Sequence, residues 1–159
     1  MKKFVNFIVI SIVFISCTNN NSTQQKETTA NTNQLSIQGT WKLISGTTID
    51  KTDTTVTDYL HNKSFIKIIN DTHFSFLGHD LDKGKDTANA FFSSGGGTYE
   101  LHDSNYTEHL EYCNAREWEG NSFNMTVQIS SDTLVQTGIE KIDSIGVNRI
   151  NIEKYVRLK

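Results

Sequence analysis

From residue 37 onward, apolar and polar side chains alternate along the chain with a period of two. That is the signature of strands that bury one face. Trp41 and Leu43, with Ser45 next in step, fall on one face of a first strand, and Lys42 and Ile44 on the other. Phe65-Ile66-Lys67-Ile68-Ile69 is a β-rich run ended by Asn70-Asp71, and His73-Phe74-Ser75-Phe76-Leu77 alternates as far as Gly78. With a short polar link between them, these runs predict a hairpin. A second hairpin joins Thr98-Tyr99-Glu100-Leu101-His102 to Tyr106-Thr107-Glu108-His109-Leu110-Glu111-Tyr112 around Asp103-Ser104-Asn105. A third joins 122–129 to 132–137 around Ser130-Ser131, and a last strand over 149–158 sets Ile150, Ile152, Lys154 and Val156 against Asn151, Glu153, Tyr155 and Arg157. No long amphipathic helix pattern is present. Residues 47–63 are rich in Thr and Asp, with room for a helical turn at Asp58-Tyr59-Leu60-His61, and 80–89 read as a polar loop. About eight short strands with close turns predict an all-β barrel or sandwich.

A different pattern precedes the strands. Met1-Lys2-Lys3 leads into an apolar run over 4–15, broken only by Asn6 and Ser11. This reads as the n-region and h-region of a secretory signal over 1–16. The run is too short to span a bilayer, which takes about 20 residues. Phe14-Ile15-Ser16-Cys17 resembles a bacterial lipobox, with Phe14 where leucine is more usual. The resemblance implies acylation of Cys17 and attachment to a membrane through that lipid. Each buried methylene contributes about 0.8 kcal/mol, so stable anchoring takes more than one chain. Residues 18–34 have almost no apolar side chains to offset the entropy of ordering. The expected organisation is therefore a signal over 1–16, a lipidated cysteine and flexible tether over 17–36, and one domain over 37–159. No acidic run follows Cys17, so the expected location is the cell envelope, at the outer membrane and facing the periplasm.

Charge narrows the partners. The chain carries 15 basic and 18 acidic side chains; without Lys2 and Lys3 the balance is 13 against 18, a formal −5. With no basic patch or arginine cluster, nucleic acid is not an expected partner. Lipid on Cys17 leaves Cys113 alone, read here as a buried, inert thiol. Proline is absent, so turns fall to Gly, Asn, Asp and Ser.

Gly39-Thr40-Trp41-Lys42-Leu43-Ile44-Ser45 resembles the Gly-x-Trp opening strand of lipocalins and fatty-acid-binding proteins. That resemblance implies a tryptophan packed across the closed end of a barrel, under a basic side chain from the last strand. Arg157, in Tyr155-Val156-Arg157, is the matching position. Arginine over indole is a cation–π contact, and here it would tie the first strand to the last. Phe91-Phe92-Ser93-Ser94-Gly95-Gly96-Gly97-Thr98-Tyr99, followed by Tyr106-Thr107-Glu108-His109, is similar to bacterial lipocalin-like (calycin-type) lipoproteins of unassigned function. The implied fold is a single antiparallel up-and-down β-barrel of about eight strands, with Gly39, Trp41 and Arg157 at its closure. The chain is shorter than larger lipocalins and lacks the helical pair that covers the fatty-acid-binding barrel.

Few motifs carry chemistry. Gly95-Gly96-Gly97 is followed by no Lys-Ser/Thr and reads as a strand opening or bulge rather than a phosphate cradle. Asp80-Leu81-Asp82-Lys83-Gly84-Lys85-Asp86 has its glycine one place early for a calcium loop and lacks the closing glutamate. The five histidines show no metal-ligand spacing, and Gly-x-Ser-x-Gly is absent; no metal, cofactor or catalytic residue is assigned. Glu108 is the most informative residue. Period-two counting places it on one face with Tyr106, Leu110 and Tyr112. A buried carboxylate must be paired or hydrogen-bonded, and Arg116, Arg149, a tyrosine hydroxyl or a ligand group are the available partners. The candidate ligand-binding set is Glu108, Tyr99, Tyr106, Tyr112 and Trp118. The expected function is non-enzymatic binding of a small apolar or amphipathic molecule. The alternatives are an interaction module of the envelope with a solid barrel core, and an isomerase- or cyclase-type enzyme using Glu108.

Overall fold

The structure, a computed structural model, describes residues 36–159. The expectations for the signal, the tether and Cys17 lie outside these residues. Nine strands follow in order: β1 (Gly39–Asp50), β2 (Asp53–Asp58), β3 (Lys63–Ile69), β4 (His73–Asp80), β5 (Phe92–His102), β6 (Asn105–Cys113), β7 (Ser122–Ser130), β8 (Thr133–Ile142) and β9 (Val147–Arg157). Every neighbouring pair is antiparallel. From β3 to β9 the strands run in sequence order, and β1 pairs with both β3 and β9. Eight strands thus close into an up-and-down barrel, which removes the free edges an open sheet would expose.

The ninth strand is β2. One edge of β1 pairs with β3 over 39–42 and with β2 over 45–50. The Thr- and Asp-rich stretch is therefore a mostly exposed hairpin arm and not a helical turn. Its end is fastened by the Asp58 carboxylate, which accepts from the Leu60 N–H at 2.7 Å.

Two bulges reset which side chains point inward. In β1, Leu43 pairs with Tyr155 and Ser45 with Lys154, leaving Ile44 over. Its carbonyl accepts from the Tyr59 N–H at 3.1 Å. The inward series therefore runs Trp41, Leu43, Gly46, Thr48 and passes over Ser45. In β6, Leu110 faces Gly97 and Tyr112 faces Gly96, with Glu111 left over. Beyond it Cys113 turns inward and Tyr112 turns out to solvent, 67% exposed. A bulge is a local change of register that period-two counting cannot anticipate.

The apolar core fills the half of the barrel where the chain enters. Trp41, Ile69, Phe74, Tyr106, Val127 and Leu134 are buried there. Each such side chain contributes about 1.5–3 kcal/mol on removal from water. Trp41 and Arg157 are register partners, and the guanidinium carbon lies 4.0 Å from the centre of the indole ring. The indole N–H donates to the Ile37 carbonyl at 2.7 Å, and Arg157 donates to the Gln38 and Ser36 carbonyls, each at 2.6 Å. Gly39 is required beneath it. Its φ is +137°, and a Cβ there would stand 2.5 Å from an Arg157 nitrogen. The closed end expected from Gly39, Trp41 and Arg157 has this geometry.

Candidate functional site

The opposite half of the barrel is hollow, a cavity of about 400 Å³. Such a volume lies within the range of about 300–1,000 Å³ occupied by small-molecule sites. Its wall comes from inward positions of most strands together with the connections at the open end. Gly46 is part of this wall, under the Tyr59 ring.

The floor is polar. Lys67 points inward from β3, and its ammonium donates to a Glu108 carboxylate oxygen and to the Gln136 amide oxygen, the latter at 2.9 Å. The same ammonium lies 5.2 to 5.9 Å from the ring centres of Phe74, Tyr106 and Tyr155. Burial, with the Glu108 charge next, holds the Tyr106 hydroxyl well above its ordinary pKa. Tyr155 is raised as well, by burial first and then by Glu153, to which its hydroxyl donates at 2.7 Å.

One wall is polar too, because β9 turns Arg149, Asn151, Glu153 and Tyr155 into the barrel. Its isoleucines point away, with Ile150 40% exposed. Arg149 pairs with Glu140 at 2.6 Å and also lies over the Trp118 ring, 5.4 Å from its centre. Burial raises the Glu140 carboxyl; Arg149 offsets part of that effect.

Aromatic rings form the rest of the site. Phe65 packs against Tyr59, Phe76 and Phe91 with ring centres 5.7 to 6.5 Å apart, and Trp118 packs against Phe123 at 5.8 Å. Phe91 is held by Asp80, which ends β4. Its carboxylate accepts from the Phe91 N–H at 3.0 Å and from the Gly84 N–H at 2.6 Å, bonds that hold this carboxyl far below its usual value. Asp80 is thus the clamp of the 81–91 connection. Among the described residues, no group of three or more His, Cys, Asp or Glu side chains is placed to hold a metal ion.

Of the five ligand candidates read from the sequence, Glu108 and Trp118 line the cavity. Tyr106 lies beneath the floor. Tyr99 packs on it at 5.3 Å and donates to the Asn70 carbonyl at 2.7 Å, outside the cavity. Tyr112 is on the outer surface, carried there by the β6 bulge. Glu108 finds its partner in Lys67, since Arg149 serves Glu140 and Arg116 pairs with Glu119 at 2.8 Å. Cys113 is half-buried and lines the cavity, a correction to its reading as a buried thiol.

No family model matches the chain, and a search of curated proteins finds no match to it. Its class is defined by its geometry: a closed, eight-stranded antiparallel barrel, packed at one end and hollow at the other.

Proposed function

We propose that this chain is a lipocalin-like lipoprotein, attached to a membrane through lipid on Cys17, that holds a small amphipathic molecule in its barrel without transforming it. The cavity of about 400 Å³ carries this reading, because its size is that of a small-molecule site and it joins aromatic rings to convergent polar and charged groups. A module with a solid core leaves that space without a role. An isomerase or cyclase centred on Glu108 draws no support from a carboxylate already engaged by Lys67.

Trp118 reports on the cavity, whereas Trp41 is sealed in the closed end. Titration with an amphipathic ligand should therefore change the intrinsic fluorescence saturably, and Trp118→Phe should remove the change. Saturable quenching that persists undiminished in Trp118→Phe contradicts binding at this site.

A further inference from the structure

We propose that the cavity selects an organic cation, a primary or secondary ammonium group carried on an apolar or aromatic body; this rests on reading the barrel as a small-molecule site. The cavity lining carries an imbalance of charge. Among the described residues, three carboxylates line the cavity, Glu108, Glu140 and Glu153, against two cations, Lys67 and Arg149. Both cations are taken, Lys67 by Glu108 and Arg149 by Glu140. Glu153 is left with the Tyr155 hydroxyl as its hydrogen-bond donor.

A carboxylate in a partly enclosed, low-dielectric space draws in a positive charge. Register places Glu153 between Gly46 on β1, which lies under the Tyr59 ring, and Gln136 on β8. Its field reaches the neighbours. After burial, Glu153 is the largest influence raising the Tyr59 hydroxyl, and it adds to the raising of Glu140. An ammonium group set against Glu153 would supply the missing charge and relieve both.

The rest of the wall suits the body of such a molecule. Tyr59, Phe65, Phe91 and Trp118 present aromatic surface that accepts an apolar chain or ring. Cation–π attraction is already taken up at three of them, by Lys63 over Tyr59 and Phe91 and by Arg149 over Trp118, so Glu153 is what selects the charge. An anionic amphiphile, such as a fatty acid, would bring a further negative charge to a space already short of a positive one. The site therefore ranks cation over neutral molecule over anion.

A matched series tests this ranking: 4-phenylbutylamine, 4-phenylbutan-1-ol and 4-phenylbutyrate. The three share one body and differ in the charge of the head. Each is titrated by calorimetry at pH 7 into the full chain in phosphatidylcholine nanodiscs, with empty discs as the blank. The amine should bind about tenfold tighter than the alcohol or better, as one charge-assisted contact provides, and the butyrate should bind weakest. Glu153→Gln should abolish the advantage of amine over alcohol; should that variant fail to fold, the ranking in the unaltered protein decides alone. An amine no tighter than the alcohol, or an advantage that survives in folded Glu153→Gln, overturns the cation inference. In the first case, saturable alcohol binding leaves the small-molecule reading standing. A folded protein that binds none of the three overturns both.

Discussion

Lys67 and Glu108 meet inside the barrel from β3 and β6, strands separated by two others, and their side chains are only 3% and 8% exposed. The pair ties opposite walls together where the packed half gives way to the hollow half. Taking two charges out of water is expensive, and their attraction repays the cost only while both are present.

Removing either partner alone should therefore be severe. Lys67→Met or Glu108→Gln should each lower stability to urea by about 3–5 kcal/mol, because a buried charge is stranded. Lys67→Met combined with Glu108→Leu should recover most of the loss. Single variants within about 1 kcal/mol of the unaltered protein contradict this account of the floor.

The closed end makes a second prediction. Arg157→Ala removes the stacking on Trp41 and two hydrogen bonds to the backbone at Ser36 and Gln38. A loss of about 1–3 kcal/mol is expected from contacts of this kind. Arg157→Lys should recover only part of it, since an ammonium cannot reproduce the planar fork. Thermal unfolding of the three proteins gives the order, and a lysine variant equal to the original contradicts the stacking geometry.

A third concerns the strand opposite the β6 bulge. A Cβ at Gly97 would lie 1.9 Å from the His109 carbonyl oxygen and 2.8 Å from the Glu111 nitrogen, both backbone atoms. Gly97→Ala should cost about 3 kcal/mol or abolish folding. At Gly120, nothing lies within 4 Å and only its φ of +78° resists substitution, so Gly120→Ala should cost about 1 kcal/mol. Equal stabilities for the two variants would show that the bulge is misplaced.

Acidity should loosen the Asp80 clamp. This carboxyl is held below its ordinary value of 3.8 by the Gly84 and Phe91 N–H groups. A folded pKa below the unfolded one stabilises the native state above the unfolded value, and that contribution is lost as pH falls through the folded one. Hydrogen-exchange protection at Gly84 and Phe91, corrected for intrinsic rates, should fall as the medium is acidified well below pH 3.8. Asp80→Asn should lack that protection at pH 7 and show little further change. Equal protection in the two proteins at pH 7 contradicts the clamp.

Much of the frame was legible in the residues. Alternation gave the strands because one face of a barrel wall is buried. Gly39, Trp41 and Arg157 marked the closure because a steric need, a ring and a guanidinium meet there. Glu108 was legible as an inward carboxylate by counting, yet the same count misplaced Tyr112, since the extra residue at Glu111 leaves no mark in composition. Lys67 was missed for another reason. Set among isoleucines, a lysine reads as the solvated position of a strand, and only the fold reveals that Ile66 and Ile68 face out while Lys67 faces in. Asn151 and Glu153 were hidden in the same way, whereas Arg149 was legible as an inward partner, though for Glu108 rather than Glu140. The isoleucines of β9 compete for the inner face, and the choice is made by pairing with β1 and β8.

A binding role requires that the hollow half take a guest. The most direct measurement is native mass spectrometry of residues 36–159, within which every strand pairing closes, alone and with an added amphipathic amine. The expected result is one discrete additional mass per folded barrel, either retained from the producing cell or acquired from solution, and lost on unfolding. A folded barrel that remains at its bare mass under both conditions would contradict the account.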